Sequence, residues 1–255
     1  SAASDVYKRQ SPGLAKRKSA LTLSRMVHFT LFGIPVYIRP SFWVVLAIFG
    51  GALSISSVED LIYPALFVIA GFVAILSHEM GHALVGRKLG GGQQTIVLEL
   101  FGGLTSSHGM QLTRGGRALM ILAGPMMTLL LGIISLGLTW NIVAPVMTSY
   151  NLNFWDLAIS PFTAALISPK LYILSCLIMI GEWWTILNLL PIYPLDGGQL
   201  IAQYIRSPRK VFMTGFITAI LIGLLSFQLF HGYFIPIFMA LFAYSNYREY
   251  KNAPF

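Results

Sequence analysis

Apolar residues fall in runs that are long enough to cross a lipid bilayer, and polar residues gather between those runs. A membrane-spanning helix needs about 17–25 mostly apolar residues. Six segments approach this length and composition: 41–57, 63–86, 118–140, 171–190, 211–230 and 233–247. The pattern therefore predicts an all-α polytopic membrane protein with about six transmembrane helices.

One connection departs from the helical pattern. The stretch T-I-V-L-E-L-F-G-G-L-T-S-S at 95–107 combines β-branched and apolar residues and is bounded by glycines. This composition is typical of strands. We predict a short β-hairpin at the membrane, in which Gly102 and Gly103 permit a bulge or a close backbone approach. An edge strand there could pair with an extended peptide.

Composition agrees with membrane insertion. The chain is 56% hydrophobic and only 10% charged, with a mean hydropathy of +0.72, whereas soluble domains carry about 25% charged residues. The single cysteine, Cys176, excludes a disulfide framework and a structural zinc site built on cysteines.

Basic residues are distributed unevenly between the connections. Six of the 17 Lys and Arg residues lie in residues 1–25. With the N-terminus in the cytoplasm, every later one except Lys170 falls on the cytoplasmic side. This bias predicts that both termini are cytoplasmic and favours the plasma membrane of a prokaryote. The net charge of +8 is therefore interpreted as topology and not as nucleic-acid binding.

Three regions follow from these patterns. Residues 1–25 are polar and basic and contain no apolar run of the kind found in a signal peptide. We interpret them as a disordered tail, or as an expression or assembly artefact. The six-span core is predicted at 26–247, and a short cytoplasmic tail at 248–255.

Three ionisable residues interrupt the second apolar segment in the stretch S-H-E-M-G-H. His78 and His82 are four residues apart, so both imidazoles lie on one helix face and can bind one zinc ion. Glu79 can take a proton from a zinc-bound water that attacks a peptide carbonyl, and can then protonate the leaving amine. The structural alternative is a polar cluster that holds helices together. Ionisable groups within a membrane favour the functional interpretation.

A catalytic zinc ion normally has three protein ligands. The metzincin pattern is excluded, because Lys88 stands where its third histidine would be. The remaining candidates are Glu99, His108, Asp156, Glu182, Asp196 and His231. Asp196 fits best, because N-L-L-P-I-Y-P-L-D-G-G breaks the helix at the cytoplasmic end of the fourth apolar segment. The alternative is that Asp196 caps the next helix.

Three of the other candidates receive separate interpretations. Glu99 is the second choice for the third ligand, and His108 is interpreted as a solvated loop residue. Glu182 is interpreted as a paired or cavity-facing carboxylate, with proton handling or a second metal contact as the alternative.

The two motifs together, H-E-x-x-H and N-x-x-P-x-x-P-L-D-G, resemble the site-2 protease family of intramembrane zinc metalloproteases. Three further stretches resemble family segments: L-F-G-I-P-V-Y-I-R-P-S-F at 31–42, E-L-F-G-G-L-T-S at 99–106 and L-A-G-P-M-M-T at 122–128. The resemblance covers about residues 27–247. Thr128 departs from it, because the family often has asparagine there.

The resemblance implies a six-span core that binds one Zn²⁺ per chain. Carried over by position, His78, His82 and Asp196 are the zinc ligands and Glu79 is the catalytic base. Asn188 matches the motif asparagine, which steadies substrate or the oxyanion; an interhelical hydrogen bond is the alternative. The chain resembles a minimal core, because it has neither a PDZ-sized insertion nor a cystathionine-synthase-like tail.

The implied activity is intramembrane endopeptidase cleavage of transmembrane helices near the cytoplasmic side. The implied partners are single-span membrane proteins and the lipid bilayer, with homo-oligomers allowed and nucleic acid excluded. The alternative is a zinc-binding membrane protein without proteolysis, such as a transporter or chaperone. A transporter needs polar groups along a path to the outer side, and the outer halves of these segments have few.

Overall fold

The computed structural model describes residues 27–100, 102–150 and 160–254. The predicted basic tail at 1–25 and the candidate ligand Asp156 lie outside the described residues. The chain divides into two compact units. Among the described residues, the first unit runs from 27 to 185 and the second from 186 to 254.

A four-stranded sheet lies in the first unit. Its strands are β1 (Val27–Leu31), β2 (Ile34–Ile38), β3 (Gln93–Glu99) and β4 (Gly102–His108), in the order β1-β2-β3-β4. Two antiparallel hairpins, β1–β2 and β3–β4, are joined by parallel pairing of β2 with β3. The predicted hairpin is confirmed as β3–β4, and it forms half of a larger sheet.

The first hairpin, β1–β2, was not predicted, although its sequence carries a signal for it. Its turn is formed by Phe32 and Gly33, with φ of 50° and 74°, as a two-residue type I′ turn requires. Alternate residues of β2 are buried, namely Ile34, Val36 and Ile38. This alternation is the pattern of a strand with one face on a core.

The described residues of the first unit contain the helices α1 (Pro40–Phe49), α2 (Ile62–Gly90), α3 (Arg114–Tyr150), α4 (Pro161–Ala165) and α5 (Pro169–Leu189). The first unit ends at Thr185, within α5. Short 3₁₀ turns lie at Ala52–Ser54 and Glu59–Leu61. The buried face of the sheet packs on α1 and α2, where Phe42, Leu46 and Met80 join the core. The sheet is therefore fixed against the helix that carries H-E-x-x-H.

The second unit contains the end of α5, then α6 (Asp196–Ile201), α7 (Pro208–Phe230) and α8 (Phe234–Asn252). Its core includes Ile192, Ala219, Met239 and Ala243. Asn246 on α8 donates through Nδ2 to the Tyr193 carbonyl at 2.7 Å, which ties the last helix to the proline-rich loop before α6. Helix α8 extends through most of the predicted tail at 248–255.

Four helical segments of the described chain are long and apolar enough to cross a membrane: Glu59–Gly90, Arg114–Ile142, Pro169–Leu189 and Pro208–Leu229. The predicted fold class, a helical membrane protein with a small sheet, is confirmed, and four of the six predicted spans fall on these segments. In the first predicted span, α1 has 10 residues, about 15 Å in length. In the sixth, α8 continues past residue 247 into the polar stretch R-E-Y-K-N. Membrane crossing by these two segments stays a prediction.

Candidate active site

The two motif histidines are buried side by side on α2. His78 is 2% exposed and His82 7%, and their Nε2 atoms lie 3.1 Å apart. Two nitrogens bound to one tetrahedral zinc ion at about 2.0–2.1 Å would lie about 3.3 Å apart. The imidazoles therefore already have the spacing of a shared metal.

The tautomer of His82 follows from its second ring nitrogen. Nδ1 lies 2.8 Å from the carbonyl oxygen of Met120 on α3. Because a carbonyl only accepts, Nδ1 must carry the proton and donate it. In neutral His82 the lone pair is then on Nε2, the atom nearest His78. A hydrogen bond of this kind commonly orients a metal-ligating histidine.

Glycines bring α2 and α3 together at the histidines. A Cβ on Gly124 would overlap the Nε2 atom of His82 and lie 2.9 Å from that of His78. A Cβ on Gly81 would lie 2.8 Å from the carbonyl carbon of Ala123. The space beside both Nε2 atoms therefore depends on the missing side chain of Gly124, and this space and these donors fit a metal ion.

We predict that Gly124→Ala weakens zinc binding. Overpacking typically costs about 1–3 kcal/mol, which corresponds to a loss of about fivefold to a hundredfold in affinity. Zinc titration against a competing chelator measures the change. Gly137→Ala, on the same helix with nothing within 4 Å of the added Cβ, should bind like wild type. Equal affinity of the two variants would contradict the prediction.

Glu79 is held by the sheet. It is 5% exposed, and its Oε2 atom accepts a hydrogen bond of 2.7 Å from the Thr105 hydroxyl on β4. A Cβ on Gly103 would overlap the Glu79 side chain. The predicted close approach at the paired glycines is thus confirmed, whereas the contact with Thr105 was not predicted. The sequence feature that could have indicated this contact is the threonine hydroxyl after F-G-G-L, on a strand with an otherwise apolar start.

Trp184 on α5 contacts both His78 and Gly102 of β4. Its ring packs edge-to-face with His78 at a centroid distance of 6.4 Å. Gly102, at φ 122°, would place a Cβ 2.6 Å from Trp184 Cζ2. Only glycine combines this backbone conformation with this closeness. Sequence reasoning did not identify Trp184, because one tryptophan in an apolar segment is typical of packing.

Asp196 occupies the first position of α6 in the second unit and is 6% exposed. Leu195 is the N-cap residue, so the capping alternative for Asp196 does not describe this helix. A Cβ on Gly197 would overlap the Leu189 carbonyl, which explains the glycine after the aspartate. Asp196 is thus buried in its unit, and its role as the third ligand stays a prediction.

The other candidate ligands among the described residues are partly or fully exposed. Glu99 pairs with Arg39 at 2.8 Å, with 38% of the glutamate side chain exposed. His108, at the end of β4, and His231, after α7, are also exposed. Glu182 is exposed on α5, whereas the sequence interpretation gave it a partner or a cavity. None of these four is buried as the two motif histidines are.

The remaining motif positions are buried and polar. Asn188 on α5 is 9% exposed, and its proposed role stays a prediction. Thr128, which replaces the family's frequent asparagine, lies with its hydroxyl 2.9 Å from that of Thr185. The two hydroxyls lie 3.0 and 3.3 Å from the Pro125 carbonyl. These contacts link α3 to α5 beside the A-G-P stretch.

Comparison with solved structures finds the same fold. A site-2 protease from Methanocaldococcus jannaschii superposes with a TM-score of 0.56 and 24% identity, covering 88% of this chain and 95% of that one. At this level of identity the likeness concerns the fold.

Comparison with curated proteins finds zinc metalloproteases. One from Methanocaldococcus jannaschii is 29% identical over 227 residues, 85% of this chain and 57% of that protein. A relative from Synechocystis sp. is 28% identical over 188 residues, 69% of this chain and 43% of its own length. The chain therefore spans about half the length of these relatives. The model of peptidase family M50 matches residues 66–230. The chain belongs to peptidase family M50, the site-2 protease family.

Proposed function

We propose that this protein is an intramembrane zinc endopeptidase that cuts transmembrane helices near the cytoplasmic side. The observation that carries the proposal is the pair of buried imidazoles with Nε2 atoms 3.1 Å apart, with the buried Glu79 directly after the first of them. The relative from Methanocaldococcus jannaschii is named a zinc metalloprotease. A site built only to bind zinc has no need for Glu79 beside the ligands.

One Zn²⁺ ion would be held by His78, His82 and Asp196, whose nitrogen and carboxylate donors suit zinc. When bound, zinc polarises a substrate carbonyl and makes water more acidic. Glu79 accepts a proton from the attacking water and delivers it to the leaving amine as the C–N bond breaks. Asn188 would donate its amide to the developing oxyanion.

The substrate would be a single-span membrane protein that unwinds before cleavage. A transmembrane helix keeps its peptide groups in its own hydrogen bonds, so a protease must bind it extended. In the described sheet β4 is an edge strand, and Thr105 on it contacts Glu79. Pairing with β4 would therefore present an extended peptide beside the base. We also propose cytoplasmic termini and a prokaryotic plasma membrane, on the distribution of basic residues.

The proposal predicts cleavage that depends on zinc. Purified protein in proteoliposomes should release fragments from a single-span substrate, with the cut inside or next to the span, as located by mass spectrometry. A zinc chelator should reduce the rate to background, and added Zn²⁺ should restore it. Cleavage that continues after the metal is removed and quantified as absent would contradict the proposal.

A further inference from the structure

Thr105 is a polar residue on the face that the sheet turns towards α2. In the register of the sheet, Val36 pairs with Ile96 and Ile96 with Thr105. Val36 and Ile96 are both 0% exposed. A third apolar residue would continue this row, yet the position holds a hydroxyl. A half-buried polar group at a core position needs a partner, and the partner of Thr105 is Glu79.

The geometry points to Thr105 as a positioning residue for the catalytic base, an inference that rests on the proposed peptidase function. Thr105 Oγ1 lies 2.7 Å from Glu79 Oε2 and 3.1 Å from the Glu79 carbonyl oxygen. The hydroxyl has one proton, and a carboxylate attracts it more strongly than a carbonyl does. The distance to Oε2 is that of a charge-assisted hydrogen bond.

This contact gives the two carboxylate oxygens different tasks. Oε2 is engaged by Thr105. A Cβ on Gly103 would stand 2.6 Å from Oε1, so the carboxylate fits in this position because residue 103 is glycine. During hydrolysis the water oxygen bonds to the peptide carbonyl carbon as one water O–H bond breaks, and that proton moves to Oε1. It then moves to the amine nitrogen as the C–N bond breaks. The Thr105 O–H bond stays intact throughout and fixes the rotation of the carboxylate.

Three variants separate this role from simple packing. Thr105→Val keeps the shape and removes the hydroxyl, and Thr105→Ser keeps the hydroxyl and removes the methyl group. Thr95→Val makes the same exchange on β3, at the position paired with Ser106, and serves as the matched control. Each is assayed in proteoliposomes for kcat, KM and bound zinc.

We expect Thr105→Val to lower kcat by about tenfold to a hundredfold, the usual effect of losing a hydrogen bond that orients a site residue. KM and bound zinc should stay within about twofold of wild type. Thr105→Ser should recover most of kcat, and Thr95→Val should match wild type. A Thr105→Val variant with wild-type kcat, or a Thr105→Ser variant as impaired as Thr105→Val, would overturn the inference.

A double-mutant cycle on metal-free protein tests the contact without any activity. Thr105→Val and Glu79→Ala are combined, and melting temperatures of the four proteins are compared. If the hydroxyl acts through the carboxylate, Thr105→Val should lower the melting temperature by about 2–4 °C when Glu79 is present and by clearly less when it is absent. Equal decrements would overturn the inference. If wild type cleaves nothing, the proposed peptidase function fails, while this cycle still decides whether Thr105 acts on Glu79.

Discussion

Glu79→Gln is expected to lower the cleavage rate by about 10²–10⁴-fold, the usual contribution of a general base, while bound zinc is unchanged. Glutamine has the shape of glutamate, so it fits beneath Gly103, where the native side chain lies. Its amide oxygen can still accept the hydrogen bond from Thr105. It cannot accept a proton from water, so only the proton-transfer step is removed. Fragment release in proteoliposomes and zinc content on the same sample measure the two quantities.

Glu99→Gln is the matched control. It makes the same chemical change at a glutamate whose side chain is 38% exposed and whose visible contact is an ion pair with Arg39. Ion pairs at the surface contribute about 0–1 kcal/mol to stability. Its cleavage rate should stay close to wild type. A Glu79→Gln protein that keeps more than about one tenth of the wild-type rate would exclude Glu79 as the base.

The placement of the two motif histidines is predictable because it is local. Two histidines four residues apart share a helix face whatever the fold, and the structure places their Nε2 atoms 3.1 Å apart. The contacts around them are not local. The Met120 carbonyl and Gly124 reach the histidines only through the packing of α3 on α2. One sequence alone does not reveal how these two helices pack.

The contact between Thr105 and Glu79 shows the same limit in the sheet. It joins residues 26 apart in sequence and depends on strand register, because a slip of one residue would turn Thr105 to the opposite face. The glycines beside it were predictable as a close approach, since glycine in a strand often marks one. Which residue approaches could not be predicted, because that requires the position of α2.

The length of the helix in the first predicted span could not be predicted for a different reason. Counting apolar residues does not reveal where a helix ends, and α1 ends at Phe49, before two glycines of which Gly51 has φ 88°. Residues 41–57 are thus apolar without forming one helix. In the same way, the β1–β2 hairpin was missed because its alternation covers only five residues in each strand.

Asp196→Asn and Asp196→Ala are expected to remove zinc from the purified protein. Replacing residues that only orient metal ligands costs about 10–100-fold in affinity, so the loss of a ligand should cost at least about a hundredfold. Asparagine keeps the volume and hydrogen-bonding capacity of aspartate at the start of α6. The Asp196→Asn variant therefore distinguishes loss of the charged metal ligand from damage to the helix. Zinc per chain, measured after dialysis against a weak chelator, should fall from about one to near zero in both variants.

Asp60→Ala provides the control for Asp196. Asp60 is an exposed aspartate that accepts hydrogen bonds from the amides of Ser56 and Ser57 at 3.1 and 2.9 Å. Its removal therefore disturbs a loop and leaves the proposed zinc ligands unchanged. Its zinc content should equal that of wild type. If the Asp196 variants also retain zinc, the third ligand is another residue. Since His108, Glu182 and His231 are exposed, that result would direct the search to Glu99, the second choice from the sequence, which is of intermediate burial.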